Sequence, residues 1–168
     1  VIHIVKGRAD DAGIMLLKGL PENPPYLVAD PRSLKQMLLN LMSNGVKYNR
    51  PGGWVRINSS DSGNGRIRIE VVDSGIGIPP DRQDELFKPF SRIGREDSGI
   101  EGTGLGLAVT QQLIDLMGGS IGFSSDAKHG TIFWFELPHG AGSQLPESVT
   151  EQRSSSNSAK TPAPDGRL

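Results

Sequence analysis

Apolar side chains at Leu34, Met37, Leu38, Leu41, Met42 and Val46 recur at i, i+3, i+4 and i+7 between Pro31 and Tyr48, the repeat of a helix with one apolar face. Asp30 stands where an N-cap accepts free amides, Pro31 where a helix tolerates proline, and the Asn49-Arg-Pro-Gly-Gly53 that follows is a stop. Trp54–Asn58 and Arg66–Val72 instead alternate with period two around the turn-forming Ser60–Gly65, which predicts a hairpin. Leu105, Leu107, Ala108, Leu113, Leu116 and Met117 predict a second helix over Leu105–Met117, closed by Gly118-Gly119. Ser120–Phe123 and Thr131–Leu137 predict another hairpin, and Gly13–Leu20 an outlying strand. Hairpins that do not alternate with crossover helices predict an α+β fold: a two-layer sandwich with a mixed, largely antiparallel sheet and helices on one face.

Composition divides the chain. Its 168 residues fit one domain, yet only 35% are hydrophobic, while 22 Gly and 12 Pro call for loop or disorder. Ser143–Leu168 is rich in Ser and Pro with scarcely an apolar side chain, so it is expected not to pack. The expected division is 1–12 as a remnant of an upstream helix or linker, 13–140 as the domain, and 141–168 as a disordered tail or linker. Lys88–Gly106, glycine-rich between two periodic segments, predicts a mobile functional loop.

Charge and cysteine content narrow the chemistry. With 18 basic and 19 acidic side chains the net charge is −1, so no global field holds nucleic acid or an anionic membrane, and phosphate binding must be local. The absence of cysteine excludes disulfides, thiolate nucleophiles and Cys-held metals, and three scattered His argue against a His-only metal site. No apolar run approaches the ~18–20 residues of a membrane span, and no secretory pattern opens the chain. A reducing cytoplasm is the expected setting. The chain starts at Val, and the expectation is a fragment of a longer protein, soluble or membrane-anchored.

Four segments carry candidate chemistry. Asp73-Ser-Gly-Ile-Gly-Ile-Pro79 follows a predicted strand; a carboxylate there can accept from a ligand amine or hydroxyl, with glycines admitting a flat ring, although a strand ending in an Asp/Gly turn reads the same way. Gly102-Thr-Gly-Leu-Gly106 runs into a helix, where backbone amides and the helix dipole suit an anion; a flexible approach to the helix is the alternative. It lacks the Gly-Lys-Ser/Thr of a P-loop and the third glycine of a dinucleotide fingerprint. Asn40, Asn44 and Lys47 share a stripe of the first helix, where a neutral amide oxygen can ligand Mg²⁺ and an ammonium can meet phosphate, or where the face is simply solvated. In Leu86-Phe-Lys-Pro-Phe-Ser-Arg92, Phe87 and Phe90 read as core anchors and Arg92 as a cation able to swing over an anion.

In this order and spacing the four segments resemble the nucleotide-binding catalytic domain of sensor histidine kinases, of the superfamily shared with gyrase, mismatch-repair ATPases and heat-shock chaperones. LLNLMSNGVKYN is similar to the N box, DSGIGIP to the G1 box, LFKPFSRIG to the F box and GTGLGLAVT to the G2 box, and GTIFWFELP to the final strand of such domains. FSRIGRE is most similar to soluble sensors with PAS-type input modules. The resemblance spans about Gly13 to Leu137 and implies an α/β sandwich holding ATP under a flexible lid. It implies that Asn44 ligands Mg²⁺, with Asn40 supporting the metal and phosphate shell, Lys47 contacting phosphate and Tyr48 lying against the nucleotide. Asp73 would receive the adenine amino group, Gly75 and Gly77 would shape the base pocket with Ile78 and Phe90 among its contacts, Gly102, Thr103, Gly104, Leu105 and Gly106 would wrap the phosphates, and Arg92 would be the mobile cation of the lid.

Two departures refine that expectation. Hydrolysing relatives place a glutamate, base for the attacking water, where this chain has Asn40, and an amide cannot take that proton at neutral pH. Nor does His3, His129 or His139 sit in the His-Glu/Asp pattern of a phosphoacceptor helix. The expected function is therefore a protein-histidine kinase catalytic domain that binds Mg-ATP and transfers its γ-phosphoryl group to a histidine on a separate dimerisation domain, upstream of a response-regulator receiver. A nucleotide-binding interaction module without phosphotransfer is the alternative.

Overall fold

The computed structural model describes residues 1–91 and 104–140. Within them the chain runs α1 (Ile2–Asp11), β1 (Met15–Gly19), α2 (Pro31–Lys47), β2 (Trp54–Gly63), β3 (Arg66–Asp73), a 3-10 segment at Pro80–Glu85, α3 (Gly106–Leu116), β4 (Ser120–Asp126) and β5 (Gly130–Pro138). The five strands form one sheet in the order β1-β2-β3-β5-β4, with β1 parallel to β2 and the other neighbours antiparallel. This is the mixed, largely antiparallel α+β sandwich that the pattern predicts. The expected tail and most of the expected lid lie outside the described residues.

Alternation decides which face of the sheet is covered. Along β3, Ile67, Ile69, Val71 and Asp73 are buried, with half-buried residues between them, so one face turns to the helices. There Ile67, Ile69 and Val71 join Met37, Leu41, Met42 and Val46 of α2, Ile114 of α3 and Phe133, Phe135 and Leu137 of β5 in one core. The other face carries both tryptophans. Trp134 lies where a Cβ on Gly122 would be, and the Arg68 guanidinium sits 4.2 Å from its ring centroid while pairing with Glu136 at 2.7 Å.

α2 begins as its sequence dictates. Asp30 caps it by accepting from the Ser33 amide at 2.7 Å, and Pro31 is in the first turn. The Ser33 amide also holds the Asp30 carboxyl below the usual carboxylate range. The helix ends at its C-cap Tyr48.

Three local differences from the sequence reading have physical causes. Residues 1–12, expected as a remnant of an upstream helix or linker, hold the helix Ile2–Asp11, which packs into the common core with Val5 only 2% exposed and Ala9 fully covered. The first hairpin extends through Ser60–Gly63, which the sequence reading made turn. Strand pairing continues with a register shift at Asp61/Gly63, and the turn contracts to Asn64-Gly65, both at positive φ, the geometry that matches the twist of paired strands. Pro80–Glu85, unassigned in the sequence reading, forms the 3-10 segment.

Candidate functional site

Asp73 is the last residue of the central strand β3 and only 6% exposed. Its Oδ1 accepts from the Gly75 amide at 2.9 Å and from the Thr131 amide at 3.2 Å. Among the described residues nothing donates to Oδ2, which remains for a ligand donor. Burial pushes the carboxyl up to about 6, against the two amides, which favour the charged form. Glycine is required around it. A Cβ on Gly75 would meet the Tyr48 carbonyl at 2.5 Å and Asp73 Oδ1 at 2.7 Å, and one on Gly130, at φ +91°, would run into the Asp73 carbonyl. Gly77, at φ +71°, similarly lies against the Asp126 carbonyl, so the loop after β3 is pressed onto the β4–β5 turn.

α2 brings the asparagine stripe to one side of this loop. Asn40 Nδ2 donates to the Gly106 carbonyl and to Thr110 Oγ1, each at 3.1 Å, while its Oδ1 accepts from Gln36 at 3.0 Å. Its amide thus ties α2 to the first turns of α3. One turn on, Asn44 is half-buried, and its amide has no hydrogen-bond partner among the described residues. The Lys47 ammonium lies 4.8 Å from the Tyr48 ring centroid. Among the described residues no three His, Cys, Asp or Glu gather as a metal site. An Asn44 carbonyl oxygen still fits Mg²⁺, which takes one or two protein oxygens and leaves its other positions to water and phosphate.

The remaining expected residues fall unequally. Leu105 is the N-cap of α3 and makes no side-chain cap, so among the described residues the first amides of the helix are open to an anion. Gly104, at φ +70°, packs so closely on the backbone of Phe90 and Ser91 that a Cβ would lie 2.8 Å from the Phe90 carbonyl carbon. Phe90 is 74% exposed and itself at φ +63°, whereas Phe87 packs against the core beside Phe123. Ile78 is a core residue whose amide donates to Ser125 Oγ at 2.8 Å. Arg92, Gly102 and Thr103 lie outside the described residues.

Four residues without an assigned role in the sequence reading support the site. Thr131 is buried and supplies an amide to Asp73, Ser125 hydrogen-bonds Thr131 and the Ile78 amide, and Asn49 and Ser74 join the end of α2 to the end of β3. The polar residues of KYN and DSG are the only sequence signal for the last two.

A carboxylate buried at a strand end, a glycine loop folded against it and an uncapped helix across from an asparagine stripe define an α+β nucleotide-binding domain. Residues 29–141 match the family described as histidine kinase-, DNA gyrase B- and HSP90-like ATPases. The chain belongs to that family, as an ATP-binding catalytic domain of the histidine kinase type. It is 37% identical over 152 residues to the sensory/regulatory protein RpfC of Xanthomonas campestris pv. campestris, covering 86% of this chain and 20% of that protein. Among solved structures it resembles full-length ShkA in complex with AMPPNP, with TM-score 0.72 and 33% identity over 82% of this chain and 28% of that one. It also resembles the histidine kinase ThkA in complex with the response regulator TrrA, with TM-score 0.65 and 26% identity over 83% of this chain and 38% of that one. The chain therefore spans about a fifth of the length of RpfC. No helix among the described residues is long and apolar enough to cross a membrane.

Proposed function

We propose that the chain binds Mg-ATP and transfers the γ-phosphoryl group to a histidine of a separate dimerisation domain, in a pathway that ends on a response-regulator receiver. The observation that carries this reading is the Asp73 carboxylate, buried with both of its hydrogen bonds among the described residues on Oδ1, which would present Oδ2 to the exocyclic amine of adenine. Asn44 would hold Mg²⁺, which neutralises charge on the triphosphate. Lys47 and the open amides of α3 would orient the phosphate oxygens, because phosphoryl transfer asks mainly for positioning and charge stabilisation. In the step itself the bond from the γ-phosphorus to the bridging oxygen breaks, a bond to an imidazole nitrogen forms, and ADP leaves.

Asn40 supports transfer over hydrolysis. Its amide hydrogens are given to Gly106 and Thr110, and its oxygen cannot act as base for water. The test is to mix the chain with labelled ATP and a separate dimerisation-hairpin protein. Acid-labile phosphate on the histidine of that protein is the expected outcome, with turnover by the chain alone far slower than one per second. Tight ATP binding without any labelled histidine would favour the interaction-module reading, and hydrolysis at many turnovers per second by the chain alone would overturn transfer.

A further inference from the structure

We infer that Asn49 and Ser74 form a latch that sets the spacing between the two ends of the nucleotide site; the inference rests on the nucleotide reading above. Asn49 lies just beyond the C-cap of α2, and Ser74 between Asp73 and Gly75. Asn49 Nδ2 donates to the Gly45 carbonyl at 2.8 Å and to the Trp54 carbonyl at 3.0 Å. Its Oδ1 accepts from the Arg50 amide at 2.9 Å and from the Ser74 hydroxyl at 3.1 Å. Ser74 Oγ in turn accepts from the Trp54 amide at 2.8 Å. One side-chain pair thus ties the last turn of α2, the first residue of β2 and the residue after β3.

Room for the pair is built in. A Cβ on Gly53 would run into Asn49 Oδ1 and lie 2.7 Å from Ser74 Oγ. With both hydrogens and both lone-pair directions of the Asn49 amide used inside the protein, its part is to position rather than to touch ligand. What it positions is unequal in kind. The α2 side carries Asn44, Lys47 and Tyr48, the phosphate end, whereas the β3 side carries Asp73, Gly75 and Gly77, the base end. A ligand that reaches both ends gains from their fixed separation, and one that reaches only the base end does not. Asp73 keeps its bonds from Gly75 and Thr131 without the latch.

The test titrates the whole chain with Mg-ATP and, separately, with adenosine, in wild type, Asn49→Ala, Ser74→Ala, the double variant and Ser74→Thr, at a temperature where each is folded by NMR. Each alanine variant is expected to lose about tenfold in ATP affinity, the size expected when a part-buried hydrogen-bonding group loses its partner, while adenosine affinity stays within about twofold. The double variant should lose no more than about threefold beyond the weaker single, because both changes break one device. Ser74→Thr, which keeps the hydroxyl, should bind ATP within about twofold of wild type. ATP affinity unchanged in the alanine variants, equal losses for ATP and adenosine, or losses that multiply in the double variant would each overturn the latch. A wild-type chain that binds no ATP would instead overturn the nucleotide reading. Should Asn49→Ala not fold, Ser74→Ala against Ser74→Thr decides the matter.

Discussion

Asp73 carries opposed demands in one side chain. Its folded-state pKa of about 6 stands above the ordinary 3.8, so between those values the folded protein binds more protons than the unfolded one, and stability falls as pH rises through the window. At pH 7.5 that shift lowers folding stability by about 3 kcal/mol relative to a carboxyl that keeps its ordinary pKa. Asp73→Asn is therefore expected to raise the melting temperature at pH 7.5 and to change it little near pH 4, while weakening ATP binding by ~1–3 kcal/mol; calorimetry in both modes reads the two effects. Wild-type ATP affinity should also fall as pH drops from 7.5 to 5.5, more steeply than that of Asp73→Asn, whose amide does not titrate. Part of this was legible from residues 73–77 alone, since a carboxylate that closes an alternating strand and precedes two glycines has few purposes. Thr131 was not legible, because its contribution is a backbone amide arriving from 58 positions along the chain, and almost any residue carries one. Asn49 stayed hidden for a related reason: a side chain whose partners are nearly all backbone groups has no pairing signature in the sequence.

At the scale of elements, the asparagine stripe does two jobs along one helix. Asn40 fastens α2 to α3, and Asn44, one turn on, is half-buried with its amide unbonded among the described residues. Asn40→Ala would strip one partner from Gly106, which keeps the Thr110 hydroxyl at 2.8 Å, so a loss of about 1–2 kcal/mol in urea unfolding is expected, with weaker ATP binding because the first turn of α3 is no longer held. α2 was readable almost to the residue, since capping and periodicity agree there. α1 was legible only as a remnant of helix or linker, because IHIVKGRADD is mostly polar with Gly7 in its middle, and only Val5 and Ala9 are buried. The outer half of the first hairpin failed differently, for its exposed Ser60–Gly63 shows no apolar alternation.

For the whole molecule, α1 changes where the packed unit starts. Ala9→Asp, which would place an unpaired carboxylate in the core, is expected to cost more than about 3 kcal/mol, and removal of residues 1–12 to lower the melting temperature sharply; thermal unfolding of both chains checks this. Strand order has a consequence in time as well. β5 lies between β3 and β4 yet is made last of the five strands among the described residues, so on the ribosome β3 and β4 wait without a common neighbour and Asp73 without Thr131. Synthesis proceeds from the N-terminus, and a nascent chain stopped just before Gly130 would hold nearly every motif residue and still lack the Thr131 amide that Asp73 accepts. Premature termination in the final tenth of this domain should thus yield not a weakened binder but an open sheet with the slot between β3 and β4 empty, a template for pairing with another chain.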